Sequence, residues 1–253
     1  MQIKQVAIQL YTLRNFCKTA EDYANTLKRV RAIGYEAIQI SAVGPIPPSE
    51  LRSIAEGEGL TICATHEPAA KILDETDAVI ERLQTLGCTQ VAYPNPGGID
   101  LGDAEQVEAW FPRLDRATKV LREAGITLSY HNHSSEFAHY KGKAILEWVF
   151  ERTEIQGELD TYWVQHGGGS SVHWCERLAG RLPLLHIKDY GITLERVPFY
   201  TEIGNGNLNF PAIIAAAEKS GCQWFIVEQD TCPGDPFDSI TQSFNYIRDH
   251  LVS

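Results

Sequence analysis

The sequence has 253 residues, of which 43% are hydrophobic, and 33 acidic against 22 basic side chains give a formal net charge of −11. This charge, with no run of lysine and arginine, argues against a surface that binds nucleic acid phosphates. No apolar run approaches the roughly 20 residues of a membrane span, and the amino terminus lacks the residue order of a signal peptide.

A pattern of helix, glycine and short apolar run repeats along the chain. After a first predicted strand at VAIQL, glycine recurs at the end of helix-like segments, where it supplies the left-handed residue that closes a helix. Each glycine precedes a run typical of a buried parallel strand. The glycines and their runs are Gly34 before YEAIQI, Gly59 before LTICAT, Gly87 before CTQVAY, Gly125 before ITLSYH, Gly157 before ELD, Gly180 before RLPLLHI and Gly221 before CQWFIVE.

The segments between these runs have the spacing of amphipathic helices. Thr19 and Asp22 form a capping-box pattern before the first of them. Apolar residues between positions 107 and 124 predict another helix, which we expect Pro112 to kink or split. Asn209 is placed to cap the segment AIIAAAEKS.

The number of these units predicts the fold class. A last helix near residues 238–251 completes eight strand–helix units. Eight such units in about 250 residues favour a single-domain (β/α)8 TIM barrel over residues 1–253. A doubly wound open sheet is the alternative, but it would need fewer units, and no GxGxxG motif follows the first strand.

The cysteines favour a reducing compartment. The sequence has six of them, and none shows CxxC or zinc-ribbon spacing. Several lie inside apolar runs, as buried free thiols do, rather than in a disulfide framework. We therefore expect a cytoplasmic protein.

Polar side chains end every predicted strand, and active sites of such barrels lie at the carboxyl ends of the strands. Each alone has a simpler explanation, since a strand-end aspartate often caps the next helix and a histidine often belongs to the core. Together they would place several ionisable groups in one cavity, which a divalent cation would neutralise. In chain order they are Gln9 and Tyr11, Gln39, His66, Asn95, His131 and His133, Asp160, His186 and Lys188, and Glu228 and Asp230.

Three of these residues form the core of a metal-site prediction. Asp160, His186 and Glu228 each follow an apolar run on a separate strand. A carboxylate–histidine–carboxylate set of this kind suits Mn²⁺, Mg²⁺, Co²⁺ or Zn²⁺, with positions left open for substrate oxygens. The sequence does not choose among these metals.

Seven segments, spread from the first strand to the last, carry a resemblance to a known family. They are IQLYTLRN, GYEAIQIS, YHNHSSEF, LDTYWV, LHIKD, TEIGNGNLNF and IVEQD. In this order they resemble the xylose isomerase-like TIM-barrel superfamily, most closely its sugar phosphate isomerase/epimerase branch. The resemblance implies one divalent metal on the barrel axis, held by two glutamates, an aspartate and a histidine.

Matching motifs give Asp160, His186 and Glu228 three of the four ligand positions. Many relatives have a glutamate on the fifth strand, where this chain has histidines. We expect Glu136, which fits the EF of the YHNHxxEF pattern, to be the fourth ligand. His131 is the rival, because it occupies the strand position itself, and it would otherwise contact the substrate.

The resemblance implies a sugar isomerase or epimerase that removes a proton next to a carbonyl and passes through an enediolate. Glu228, with Glu136 or His133, would form the acid–base pair. Lys188 would either bind a substrate oxygen or form a salt bridge to Asp160 or Glu228. Four further residues are expected to line the sugar pocket, although Trp163 could equally belong to the core: Tyr11, His66, Asn95 and Trp163.

Other functions remain open at this level. The main alternative is a dehydratase or lyase that acts on a keto-inositol or 3-keto-glycoside with the same site. A metal-free sugar-binding barrel and an abasic-site endonuclease are less favoured, the latter because it needs several zinc ions and a basic surface. The expected partner is a small sugar or polyol, with no nucleic acid and no membrane, and the chain could form a homo-oligomer.

Overall fold

The computed structural model describes residues 1–252, and within them eight parallel strands close into a barrel. The barrel strands are β1 (Val6–Gln9), β2 (Ala37–Ile40), β3 (Thr61–His66), β4 (Gln90–Tyr93), β5 (Thr127–His131), β6 (Gln156–Asp160), β7 (Leu184–Ile187) and β8 (Trp224–Val227). Each strand pairs with the strands before and after it, and β8 pairs with β1 to close the ring. The predicted (β/α)8 barrel is confirmed.

Helices cover the outside of this barrel. They are α1 (Ala20–Ile33), α2 (Pro48–Gly57), α3 (Ala69–Asp74), α4 (Thr76–Leu86), α5 (Ala104–Glu123), α6 (Ile145–Arg152), α7 (Thr161–His166), α8 (Ser171–Arg177), α9 (Phe210–Lys219) and α10 (Pro236–His250). Four-residue strands such as β1 and β2 are buried along their whole length. Burial on both faces explains why these strands are continuous apolar runs rather than alternating ones.

The predicted helix caps are present. Thr19 accepts a hydrogen bond from the backbone of Asp22, and the Asp22 side chain accepts one from the backbone of Thr19, which completes the capping box. Asn209 accepts a hydrogen bond from the backbone of Ala212 at the start of α9. These caps satisfy backbone donors that have no partner inside the helix.

Two local expectations need correction. Pro112 does not split helix α5, because the apolar face of the helix, which includes Trp110 and Leu114, is buried and outweighs one lost backbone hydrogen bond. Gly157 does not close a helix, since α6 ends at Arg152 and Gly157 lies within β6. A side chain at residue 157 would come within 2.8 Å of Leu178, so this glycine serves close packing.

Apolar side chains fill the amino-terminal half of the barrel interior. A cluster that includes Ala7, Ala37, Leu184 and Ile226 forms this floor. Residues two positions further along the same strands face the same side, because side chains alternate along a strand. That next layer is polar and contains Gln9, Gln39, His186 and Glu228.

Two hairpins extend beyond the barrel. His139–Tyr140 pairs with Lys143–Ala144 after β5, and Asp189–Ile192 pairs with Pro198–Thr201 after β7. Both follow the carboxyl ends of barrel strands, so they flank the end where the polar layer lies. None of the helices formed by residues 1–252 is long and apolar enough to cross a membrane.

Candidate metal centre and substrate cavity

Four buried side chains meet near the barrel axis, and one atom from each lies within 4.8 Å of the others. They are His131 at the end of β5, Asp160 at the end of β6, His186 on β7 and Glu228 directly after β8. Nδ1 of His186 lies 3.0 Å from Oε2 of Glu228, and Nε2 of His131 lies 3.3 Å from Oδ2 of Asp160. We call these four residues the axial cluster.

The contact between His131 and Asp160 shows that the axial cluster fits a cation. Nδ1 of His131 lies 3.1 Å from the carbonyl oxygen of Pro94, an arrangement in which Nδ1 carries the proton and donates it. In a neutral ring of this tautomer, the lone pair of Nε2 faces a carboxylate oxygen, so two lone pairs oppose each other. A bound cation between them would satisfy both, and a histidine oriented by a carbonyl is the usual arrangement at metal sites.

The electrostatics of His186 point the same way. Burial opposes a charge on this ring, but the carboxylates of Glu158 and Glu228 hold the pKa of His186 well above its ordinary value. Its Nε2 also lies 2.7 Å from Oε1 of Gln39, so both ring nitrogens face acceptors. The acidic surroundings therefore demand a positive charge at this position, which a proton or a metal ion can supply.

Asp160 combines the two roles that the sequence left open for it. Its Oδ1 accepts a hydrogen bond of 3.0 Å from the backbone of Trp163 and so caps α7. Its Oδ2 faces His131, and it lies 3.5 Å from Nζ of Lys188. One oxygen holds the helix while the other belongs to the axial cluster.

Glu136 lies outside the axial cluster, and this corrects its assignment as the fourth ligand. The short helical turn Ser135–Phe137 directs its carboxylate away from the axis. There it accepts a hydrogen bond of 2.9 Å from Tyr130 and another from Ser135, and both of its oxygens share the backbone N–H of His133 at 3.3 Å. The fourth member of the axial cluster is His131.

The replacement Glu136→Gln tests this correction. We expect the metal content to stay unchanged, because the side chain only holds the turn after β5. Stability should fall by about 1–3 kcal/mol, since an amide would present a donor to the backbone N–H of His133. Elemental analysis and denaturant unfolding of the same preparation measure both effects, and a loss of metal without a loss of stability would restore Glu136 as a ligand.

Glu158 is a functional candidate that the sequence reasoning missed. This fully buried residue of β6 accepts a hydrogen bond of 2.6 Å from Gln39, and its Oε2 lies 2.6 Å from Nε2 of His66. It also lies 3.5 Å from His186. The sequence did indicate this role, because Glu158 and Asp160 are two residues apart on one strand and must face the same side of it.

Lys188 forms the salt bridge that was one of its two predicted roles. Its ammonium lies 2.8 Å from Asp230, 3.2 Å from Glu228 and 3.5 Å from Asp160. Burial opposes its charge, but these carboxylates raise the pKa of Lys188 above its ordinary value. The side chain is only 1% exposed, and it stays charged because the three carboxylates surround its ammonium group.

A cavity of about 400 Å³ opens above the axial cluster at the carboxyl ends of the strands. Its walls include all of the residues predicted to line a sugar pocket and most of the predicted catalytic ones. From that set they are Tyr11, His66, Asn95, His131, His133, Trp163, Lys188 and Glu228. Glu136 is not among the lining residues.

Two polar atoms in these walls lack a partner within residues 1–252. They are Nε1 of Trp163 and Nδ1 of His133, both buried, from rings whose centres lie 5.2 Å apart. Burial, helped by the neighbouring ring of His131, lowers the pKa of His133 to about 3, so its imidazole is neutral. Buried polar atoms without a partner are costly, so these two mark a part of the cavity wall that is not internally satisfied.

Comparison with known proteins gives one family match and many structural matches. Residues 27–250 match a family model described as xylose isomerase-like TIM barrel. No curated protein sequence is significantly similar to it. Many solved structures share its fold, however.

Three of those structures are representative. A sugar phosphate isomerase/epimerase from Parabacteroides distasonis has a TM-score of 0.83 at 23% identity, and the match covers 99% of this chain and 96% of that one. L-Ribulose 3-epimerase has a TM-score of 0.74 at 16% identity, covering 98% and 94%. A xylose isomerase-like TIM-barrel protein from Mycobacterium smegmatis in complex with magnesium has a TM-score of 0.74 at 15% identity, covering 97% and 95%. At these identities the likeness establishes the fold.

Proposed function

The chain belongs to the xylose isomerase-like TIM-barrel family, and we propose that it is a divalent-metal-dependent sugar isomerase or epimerase. The observation that carries this proposal is the axial cluster, four buried metal-ligand side chains beneath a polar cavity. The names of the similar structures support it, since they include a sugar phosphate isomerase/epimerase and L-ribulose 3-epimerase.

His131, Asp160, His186 and Glu228 would hold the metal. Their mixture of imidazole nitrogens and carboxylate oxygens suits Mn²⁺, Mg²⁺, Co²⁺ or Zn²⁺. A bound ion of this kind acts as a Lewis acid, which polarises a carbonyl and stabilises negative charge that develops next to it.

Glu228 is the residue we assign to proton removal. His186 and Lys188 both contact its Oε2, so within the described residues Oε1 remains for the substrate. Burial opposes its charge, but Lys188 and His186 hold the pKa of Glu228 well below its ordinary value, so it is ionised. An ionised carboxylate beside a cavity can take a proton from a carbon next to a carbonyl.

The fate of that proton separates the two reactions. Return by Glu228 to the neighbouring carbon gives isomerisation. Return to the opposite face of the same carbon needs a second group, and we assign this role to His133, whose imidazole lines the same cavity. Lys188 keeps the carboxylates in place, and Trp163 and Tyr11 provide flat walls against which a sugar can stack.

Solvent-deuterium exchange on a panel of ketoses and keto-inositols tests this proposal. We expect metal-dependent uptake of deuterium at a carbon next to a carbonyl. Conversion without loss of any group supports an isomerase or epimerase, whereas elimination of a substituent would show the lyase instead. Absence of exchange across the panel, with the metal bound, would contradict proton abstraction.

An expected negative result separates this function from a nucleic acid enzyme. An enzyme that acts on DNA needs a basic surface to bind the phosphates. The net charge of −11 also denies the protein the counterion release that drives DNA binding. We expect no salt-sensitive gel shift at micromolar protein and no nicking of an abasic duplex, and either one would overturn the proposed function.

A further inference from the structure

We propose that the substrate of this site is an uncharged sugar or polyol and not a phosphate ester, because within residues 1–252 the cavity walls offer no free cationic side chain and the backbone donors beside the cavity are already occupied by a carboxylate. This inference rests on the proposed function, since it names the class of substrate for the same cavity. It also separates this chain from what the words "sugar phosphate" imply for its structural neighbours.

The cavity walls are neutral or acidic apart from one lysine. Glu228 and Asp230 line the cavity, and so does Lys188, but no arginine does within the described residues. The ammonium of Lys188 is shared among Asp230, Glu228 and Asp160 at 2.8–3.5 Å. A phosphate would have to take this lysine from three carboxylates and would then lie among their negative charges.

Arg14, next to the cavity mouth, is also engaged. Its guanidinium donates hydrogen bonds to the carbonyl oxygens of Tyr11 and Asp230 at 2.7 and 3.1 Å, and it lies 4.2 Å from the centre of the Tyr11 ring. Phosphate recognition by arginine depends on two parallel N–H donors that are free to form a bidentate pair. Here those donors already hold the loops that follow β1 and β8.

Phosphate sites of TIM barrels commonly use backbone N–H groups after the seventh and eighth strands. After β7 these donors point at a side chain of the protein itself. The buried carboxylate of Asp189 accepts hydrogen bonds from the backbone of Gly204, Gly206 and Leu208 at 2.9, 3.0 and 3.3 Å, and from Tyr190 at 2.8 Å. A nest of this kind binds anions, and an internal anion already fills it.

The helices that follow these two strands offer no open amino terminus. Asn209 caps α9, which has a proline in its first turn, and Asp235 caps α10 in the same way. The cap side chains accept hydrogen bonds from Ala212 and Phe237. The donors that could otherwise bind a phosphate are therefore satisfied or missing.

The neutral polar side chains of the cavity walls suit hydroxyl groups. Tyr11, Ser41 and Asn95 line the cavity, and their hydroxyl and amide groups can donate or accept hydrogen bonds. Neutral sites of this kind pair with sugar hydroxyls without any cost for a buried charge. The cavity is thus chemically matched to a polyhydroxylated, uncharged molecule.

Binding of matched sugar pairs to the metal-loaded protein tests the inference. D-Fructose is compared with D-fructose 6-phosphate, and D-ribulose with D-ribulose 5-phosphate, by calorimetry and by deuterium exchange. We expect the phosphorylated member of a pair to bind at least about tenfold more weakly, because it leaves a charge without donors. Equal or tighter binding of the phosphorylated member would overturn the inference.

A neutral sugar that binds without exchange supports the inference while contradicting the proposed chemistry. Deuterium exchange that is confined to a phosphorylated sugar supports the proposed chemistry while contradicting the inference.

A gain-of-charge variant identifies the cause of the discrimination. Ser41 lines the cavity, and Ser41→Arg adds a free guanidinium there, while Ser41→Gln adds a neutral side chain as the control. We expect the arginine variant to narrow the difference between the members of a pair and the glutamine variant to preserve it. If both variants discriminate between the sugar and its phosphate as the wild type does, the lack of a free cationic side chain is not the cause.

Discussion

Glu228→Gln should lose deuterium exchange by about 10²–10⁴-fold per bound metal ion, which is the usual contribution of a positioned acid or base. The amide keeps an oxygen toward His186 and the axial cluster, so part of the metal should remain bound. It cannot accept a proton from carbon. Metal content and exchange must be measured in the same sample, so that activity is expressed per bound ion.

Glu136→Gln is the matched control, because Glu136 is also a fully buried glutamate but faces Tyr130 instead of the cavity. It should exchange at close to the wild-type rate. If Glu228→Gln exchanges per bound metal as fast as the wild type, Glu228 serves only as a ligand. His133 would then be the base that remains on the cavity wall.

Asp160→Ala should reduce the metal content from about one ion per chain to almost none. The substitution removes a carboxylate from a cluster of four ligands and leaves His131 without the group that it faces at 3.3 Å. It also removes the cap of α7, which costs about 1 kcal/mol of stability in addition. A variant that loses both metal and stability would not by itself show whether the missing carboxylate or the weakened helix α7 is the cause of the metal loss.

Asp160→Asn separates the two effects. Its amide oxygen can still accept the hydrogen bond from the backbone of Trp163, so the helix cap and the stability should be largely retained. The charge is lost, so the metal content should still fall strongly. Elemental analysis after reconstitution measures this, and near-stoichiometric metal in the alanine variant would show that the axial cluster is not the metal site.

The sequence was sufficient to predict the barrel and the composition of its open end. Helix caps and apolar runs are local signals, and the alternation of side chains along a strand fixes which residues share a face. Asp160, His186 and Glu228 could be grouped for this reason. Their depth and distances follow from the closed ring of strands, in which Asp160 and His186 are paired neighbours.

The choice between Glu136 and His131 could not be made in the same way. Glu136 lies beyond the end of β5, where alternation no longer determines direction, and the turn Ser135–Phe137 sets its orientation. The hydroxyl of Tyr130, on the outward face of the same strand, then donates a hydrogen bond to the carboxylate of Glu136. This is a tertiary contact, and a motif shared with relatives does not reveal it.

The double attachment of Asp160 limits how this active site can diversify. Glutamate at this position would keep the charge but is a poor helix cap, asparagine would keep the cap but not the charge, and alanine keeps neither. His131, by contrast, contacts the carbonyl of Pro94 and the carboxylate of Asp160 through its ring nitrogens, but it caps no helix. Variation that retunes the chemistry of such a barrel is therefore tolerated more easily at residue 131 than at residue 160, where two constraints must be met by one short side chain.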